Sequence, residues 1–477
     1  MLISNAECLE LKPDHSLSLS YQDVRIEQNI IVAVGALEPR YGESVLDATG
    51  AALLPGLHDH HVHFASYAAA LRSVACGPPT VHSEKDLIEQ LNLAAGGHGW
   101  LRGINYHESV AGDIDRYWLD RYGPKRPIRI QHRSGRLWIL NSNALEVIRN
   151  SPPDKLSREH HARLDTEDGR LYDVDNFLWE LTGDSPLSVA AASQNLASFG
   201  VTGINDMTPS NNVSTCNWFV EMQAKAALRQ KVRLSGSREL SEVTGSVGGK
   251  LKIGECKLHL HESDLPDFYD LCRVIRDSHD ENRAVAVHCV TEAALVFALA
   301  ALQDSGIRSG DRIEHASVVS PATLELLCET GLGVVTQPNF VLERGDTYLN
   351  EIPEHEHAWL YRCRTLLQNS VPLAFGTDLP FGHPDPWIAM QAATRRQTSS
   401  GRSLGEDETL TPESALAGFL GELDNPAEPR SITVGEPADL CLLKSPWHIA
   451  RLELSSSDVR ATILDGEKIY DSQLFSC

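Results

Sequence analysis

From about residue 200 to residue 420 this chain alternates between short apolar runs and stretches of helix length. The runs at 203–205, 284–287, 333–336 and 373–375, with an earlier one at 128–130, have the length of strands. Between them lie helix-length segments such as 265–277, 292–302 and 322–329. A connection that long carries the chain back across the sheet, so the next strand returns parallel to the last. Thr411 followed by Pro412 fits an N-cap and a first-turn proline, and predicts a helix over 413–420. Parallel β/α units are therefore the expected framework.

The two ends have a different texture. Strand-like runs at 16–21, 23–27 and 30–34 precede a turn at Gly50 and another at Pro55-Gly56. Near the C-terminus, 431–434, 440–443 and 460–464 are followed by Asp465-Gly466 and a last run at 468–470. The expectation is an α/β protein: a (β/α)8 TIM barrel over 55–427, with a long insertion at about 65–200. Residues 1–54 and 428–477 would join as a small β-sandwich domain. A chain of 477 residues accommodates both.

Composition narrows the class. A formal charge of −23 leaves no basic surface for phosphate contacts, so nucleic acid is not expected as a partner. The longest apolar run, 293–302, is about half of what a membrane span needs. The N-terminal residues carry neither a basic region nor a signal-length apolar segment, and a cytoplasmic, non-membrane protein is expected. Ten cysteines without a C-x-x-C pair do not make a disulfide framework. Cys289, beside His288, is read as a core thiol rather than a nucleophile.

Chemistry concentrates at the ends of the runs. In Asp59-His60-His61-Val62-His63 the period of two puts Asp59, His61 and His63 on one face, where two imidazoles can hold one cation. In Lys257-Leu258-His259-Leu260-His261 the leucines suit outward packing, while Lys257, His259 and His261 point into the barrel or toward its mouth. A lysine there is costly unless it is paired or modified. Carboxylation by CO₂ would make it an anion able to bridge two metals, and Glu255, on the same face, is an alternative bridge. The runs at 284–287, 312–314 and 373–377 then end in His288, His315 and Asp378. Together His61, His63, Lys257, His288, His315 and Asp378 suit one or two divalent ions.

Pro55-Gly56-Leu57 leading into Asp59-x-His61-x-His63 resembles the first-strand signature of the amidohydrolase superfamily. Lys257, His288, His315 and Asp378 follow in that superfamily's order for strands four, five, six and eight. Residues 431–440, Ser-Ile-Thr-Val-Gly-Glu-Pro-Ala-Asp-Leu, look like its closing segment. Trp100-Leu101-Arg102-Gly103, Arg126-Pro127-Ile128, His132-Arg133-Ser134-Gly135 and Asn141-Ser142-Asn143-Ala144-Leu145 resemble the subgroup that includes N-substituted formamide deformylases. Gly203-Ile204-Asn205-Asp206-Met207 and Arg312-Ile313-Glu314-His315-Ala316 also fit that subgroup. After His288, where the subgroup carries a Gly-Asp turn, this chain has Cys289-Val290-Thr291-Glu292.

The resemblance implies that His61 and His63 hold one ion and His288 and His315 another, with carboxylated Lys257 between. Asp378 would complete the first site and act as general base. The implied reaction is hydrolysis of a C–N bond in a small molecule (an amide, formamide or cyclic amide) by metal-activated hydroxide. Zn²⁺ is the expected ion, one or two per chain, with Mn²⁺ or Fe²⁺ as alternatives. A homodimer is expected by analogy. A mononuclear-metal deaminase of a heterocyclic amine is the alternative, but such enzymes carry a glutamate three residues after the fifth-strand histidine, and here Glu292 lies four after His288. A non-catalytic barrel scaffold ranks third. Expected substrate contacts are His259, His107, His132, Arg133, Trp138, Trp179, Gln337, Asn339 and Phe381, with His383 nearby. The alternative role for His259 is that of a metal ligand in place of Lys257.

Overall fold

Capped helices carry the chain back between several of the barrel strands. Asp267 accepts from the amides of Tyr269 and Asp270 to start helix Phe268–Asp280. Thr291 caps Glu292–Ser305, and Ser320 followed by Pro321 starts Pro321–Thr330. In the computed structural model, which describes all residues except 13–14, 79, 97–98, 151–166, 173, 175–177, 179–187, 244–246 and 474–477, these helices separate parallel strands.

The strands are β1 (Leu57–Val62), β2 (Val201–Asp206), β3 (Lys231–Gly236), β4 (Leu251–His259), β5 (Val285–Cys289), β6 (Arg312–His315), β7 (Gly333–Thr336) and β8 (Leu373–Phe375). They pair in sequence order, every neighbour parallel. The register sets His259 of β4 beside His288 of β5, and Cys289 of β5 beside His315 of β6. The circle closes between β1 and the end of β8. The Asp378 amide donates to the His61 carbonyl at 2.8 Å, and the His63 amide to the Leu379 carbonyl at 2.9 Å. Gly376 permits this approach: a Cβ there would lie 2.5 Å from the His61 nitrogen. Asp59 fastens the same junction, accepting from the Thr377 amide at 3.0 Å and its hydroxyl at 2.6 Å.

Strands from both ends of the chain share a second sheet. Its order is Glu467–Asp471, Val459–Leu464, Leu440–Leu443, Ala52–Pro55, Leu2–Leu11, Leu17–Glu27 and Ile30–Gly35, with Val45–Asp47 beside Leu2–Leu11. Ile3, Val24, Ile26, Leu53, Leu442 and Ile463 belong to its core. Ala52–Pro55 of this sheet runs through Gly56 directly into β1.

The chain divides into two compact units, 1–63 with 193–477 and, separately, 64–192. The second unit has its own five-stranded sheet, in which Ile128–His132 lies parallel to Leu101–Tyr106 and antiparallel to Leu137–Leu140. The run at 128–130 is thus not a barrel strand. Ile128 and Ile130 enter the core of this unit with Leu87, Leu91 and Leu101. No helix among the described residues is long and apolar enough to cross a membrane.

Candidate metal centre

His61 near the end of β1 and His63 just past it stand two residues apart, and each is held by one ring nitrogen. His61 Nδ1 lies 2.5 Å from Glu314 Oε2, and His63 Nδ1 lies 2.8 Å from Thr208 Oγ1. That leaves both Nε2 atoms for a ligand, an arrangement common to metal-binding imidazoles. Both turn to Asp378 Oδ1, His63 Nε2 at 3.2 Å and His61 Nε2 at 3.6 Å. One ligand atom from each of His61, His63 and Asp378 lies within 4.8 Å of the others.

His315, at the end of β6, packs its ring 4.7 Å from His61 and 4.4 Å from His288. Its Nδ1 meets Gln337 Oε1 at 2.6 Å. Burial pushes the pKa of His61 down, that of His288 well down and that of His315 to about 3, which leaves neutral imidazoles with a lone pair to donate. Burial works to raise the Asp378 pKa, but the His63 hydrogen bond and the neighbouring imidazoles outweigh it and hold the carboxyl below its usual range. His315 and Asp378 both take left-handed backbone conformations, with φ of 71° and 58°. Such strain, about 1–3 kcal/mol per residue, collects at functional sites.

Lys257 on β4 is buried, and its Nζ has no hydrogen-bond partner among the described residues. Burial lowers its pKa to about 8, while the negative charges of Glu314 and Asp378 pull the other way. An orphaned amine beside a set of imidazoles fits a lysine that is chemically modified or bonded to an ion. The donor set of neutral imidazoles, one carboxylate and this amine is the set a borderline divalent ion takes.

Glu255 does not serve as the bridge. Its Oε1 lies 2.9 Å from Arg233 Nη2 and 3.3 Å from Arg312 Nη1, and its Oε2 accepts from Ser235 Oγ at 2.7 Å. These partners overcome burial and hold the carboxyl at about 2. Arg312 also donates to Glu314 Oε1 at 2.6 Å, so the ion-pair chain ends on the carboxylate that holds His61. Cys289 is not a nucleophile: it is fully buried, its Sγ faces the Ala294 carbonyl at 3.6 Å, and burial pushes its thiol pKa up.

The expected substrate contacts scatter. Phe381 sets its ring edgewise on His63, centroids 5.2 Å apart. Gln337 is buried with its amide oxygen on His315, and Asn339 is buried with its amide donating to Glu343 and to the Thr377 carbonyl. Both therefore act as holders of neighbouring groups. His383 is exposed, with Nδ1 accepting from the Asp385 amide. His259 lies at the end of β4 against His288.

The others belong to the second unit. There His107 and His132 stack at 5.9 Å beside Glu108, and the Arg133 amide donates to the Tyr106 carbonyl. Trp138 is a buried strand residue rather than a loop residue, with the Arg102 and Arg129 guanidiniums each 5.3 Å from its ring. Trp179 lies outside the described residues. Thr208 went unnoticed in the sequence, and Glu314 was seen there only as a neighbour of His315.

Comparison with known proteins agrees with this geometry. Residues 44–470 match a family model described as the amidohydrolase family. An N-substituted formamide deformylase of Arthrobacter pascens is 24% identical over 90% of this chain and 90% of its own. A Bacillus subtilis protein described as an amidohydrolase, YtcJ, is 24% identical over 94% of this chain and 96% of its own. The crystal structure of an uncharacterized metal-dependent hydrolase from Pyrococcus horikoshii superposes with a TM-score of 0.73 at 20% identity, covering 93% of this chain and 97% of that one, and shares the fold. The chain is an enzyme belonging to the amidohydrolase family.

Proposed function

We propose that this enzyme hydrolyses a C–N bond of a small-molecule amide, formamide or cyclic amide, with N-substituted formamides as the first class to test. The observation that carries the reading is the convergence of His61 Nε2, His63 Nε2 and Asp378 Oδ1 in the same barrel mouth as a buried lysine amine that has no hydrogen-bond partner among the described residues. Likeness to a deformylase over nine-tenths of both chains supports the formamide class.

In this reading His61, His63 and Asp378 hold one ion, His288 and His315 a second, and Lys257 lies between them. Zn²⁺ is the preferred ion, with Mn²⁺ or Fe²⁺ as alternatives. Bound there, the ion supplies a Lewis acid that lowers the pKa of water from about 16 to about 7. The chain does the rest. With a pKa of about 8, roughly one Lys257 in ten is a neutral amine at pH 7, against about one in three thousand for an ordinary lysine. The neutral Nζ attacks the carbon of CO₂, an electron pair moves onto oxygen, and one nitrogen proton leaves to solvent. The product is an anionic carbamate that suits two cations. Asp378, ionised at neutral pH, takes a proton from the attacking water and returns it to the leaving nitrogen.

Against a deaminase reading, residue 291 is threonine, and the Glu292 carboxylate accepts from Thr323 Oγ1 at 2.6 Å. Cytoplasmic residence accords with nine free cysteines among the described residues. A homodimer remains part of the proposal by analogy alone.

The test is a panel of formamides, amides and cyclic amides, assayed before and after chelation, with elemental analysis alongside. The expected result is hydrolysis of at least one class, abolished by the chelator and restored by Zn²⁺, Mn²⁺ or Fe²⁺. Lys257→Ala is expected to lose bound metal and about a thousandfold or more in kcat/KM. Two ions retained by Lys257→Ala, or full activity in chelated protein, would overturn the assignment.

A further inference from the structure

A second group of imidazoles meets where β4 and β5 end. One ring nitrogen from each of His259, His261 and His288 lies within 4.8 Å of the others. The ring centroids of His259 stand 4.1 Å from His261 and 4.0 Å from His288, and His261 stands 5.7 Å from His288. The backbone produces this arrangement. His259 is the register partner of His288, and His261, still extended at φ −121° and ψ 130°, follows two residues later on the same side. His259 is exposed and the other two are half-buried, so an ion can reach them from solvent.

Six atoms of ligand chemistry thus fall into two sets of three. The set at β1 and β8 mixes two imidazoles with a carboxylate, whereas this one is all nitrogen. An all-imidazole set of three suits Zn²⁺, Co²⁺, Ni²⁺ or Cu²⁺ and disfavours Mg²⁺ and Ca²⁺, which prefer oxygen. It also leaves coordination positions open to water or a further ligand.

We propose that His259, His261 and His288 form an additional site for a borderline divalent cation, sharing His288 with the hydrolytic centre. The site itself does not depend on the hydrolytic reading. Its consequence does: an ion held here draws His288 away from His315, so excess Zn²⁺ inhibits turnover.

The experiment uses the full chain, stripped of metal and titrated separately with Co²⁺ and Mg²⁺. Binding is followed by visible ligand-field absorption and by elemental analysis after gel filtration. In a His61→Ala/His63→Ala protein, which lacks the ligands on β1, one Co²⁺ per chain is expected to remain, with no binding of Mg²⁺. Adding His261→Ala, or separately His259→Ala, should weaken Co²⁺ binding by at least about tenfold and change the absorption band. Circular dichroism of each variant checks the fold, and these solvent-accessible positions permit it. Co²⁺ affinity and spectrum unchanged within twofold in both His261→Ala and His259→Ala overturn the proposal, as does a His61→Ala/His63→Ala protein that binds no Co²⁺. A wild-type protein inert toward every amide, yet losing an ion specifically on His261→Ala, would sink the hydrolytic reading while upholding this one.

Discussion

Whatever grips one nitrogen of a histidine decides which way the other points, and here the grips come from three kinds of residue. Glu314 holds His61, Thr208 holds His63 and Gln337 holds His315. Removing the last of these should leave His315 in place in the chain but free to rotate. Gln337→Ala is expected to weaken metal retention by about 10–100-fold, measured by competition with a chromophoric chelator, with little change in thermal stability. Unchanged retention would return Gln337 to the role of a substrate contact. The six candidate ligands were legible because imidazole, amine and carboxylate at the ends of apolar runs are rare by accident. The grips were not legible. Threonine and glutamine are common, and the bond from His63 to Thr208 spans 145 positions. Glu255 shows the limit of period-two reasoning: it shares a strand face with Lys257, but arginines on the neighbouring β3 and β6 claim its carboxylate.

Among elements, the strand ends carry both the chemistry and the strain. β6 ends on a residue in the left-handed region, His315, and the loop that follows β8 contains another, Asp378. Next to the second of these, Gly376 lets β8 touch β1. In Gly376→Ala the new methyl would stand 2.4 Å from His61 Cβ, so the strands must part. A loss of about 3 kcal/mol or more is expected, seen as a fall in Tm of roughly 3–4 °C or more, together with weaker metal binding because His61 moves. A Tm within 2 °C of wild type would show that the junction yields freely. At this scale the sequence misleads in two places. The run at 128–130 has the composition of a barrel strand, yet its hydrogen bonds go to the sheet of the second unit. β3, Lys-Val-Arg-Leu-Ser-Gly, is not among the expected runs: its cations make it polar in sequence, and only the fold pairs them, Lys231 with Asp439 and Asp465, and Arg233 with Glu255.

For the molecule as a whole, the alternation of elements sufficed to indicate a parallel barrel, and the strand-rich ends indicated a sheet shared by both termini. An insertion at about 65–200 was expected and one compact unit covers 64–192, but its own sheet could not be read off, because the run at 128–130 has the look of a barrel strand. Across the barrel's interior runs one ion-pair chain, Arg233–Glu255–Arg312–Glu314. The Glu255 pKa falls from 4.5 to about 2 on folding. Between those values the unfolded chain binds the extra proton, so stability rises with pH there, by on the order of 3 kcal/mol from this group. That contribution is complete above pH 4.5 and is lost as the pH falls toward 2. Urea unfolding of metal-free protein should show the midpoint falling over this window. Glu255→Gln should be less stable at pH 7, because buried Arg312 and half-buried Arg233 lose a partner, and should show a shallower acid dependence. An acid profile identical to wild type would remove Glu255 as its source. The candidate ligands His61 and His63 sit at the end of the first barrel strand and Asp378 just past the last, so an ion held by them would act as a bolt across a circle whose two ends lie 318 positions apart at the Thr377–Asp59 bond. Stripping the ion should therefore quicken amide hydrogen exchange at His63 and Asp378 more than at Val287 or Val335, and the barrel should begin to unfold where its sequence starts and stops.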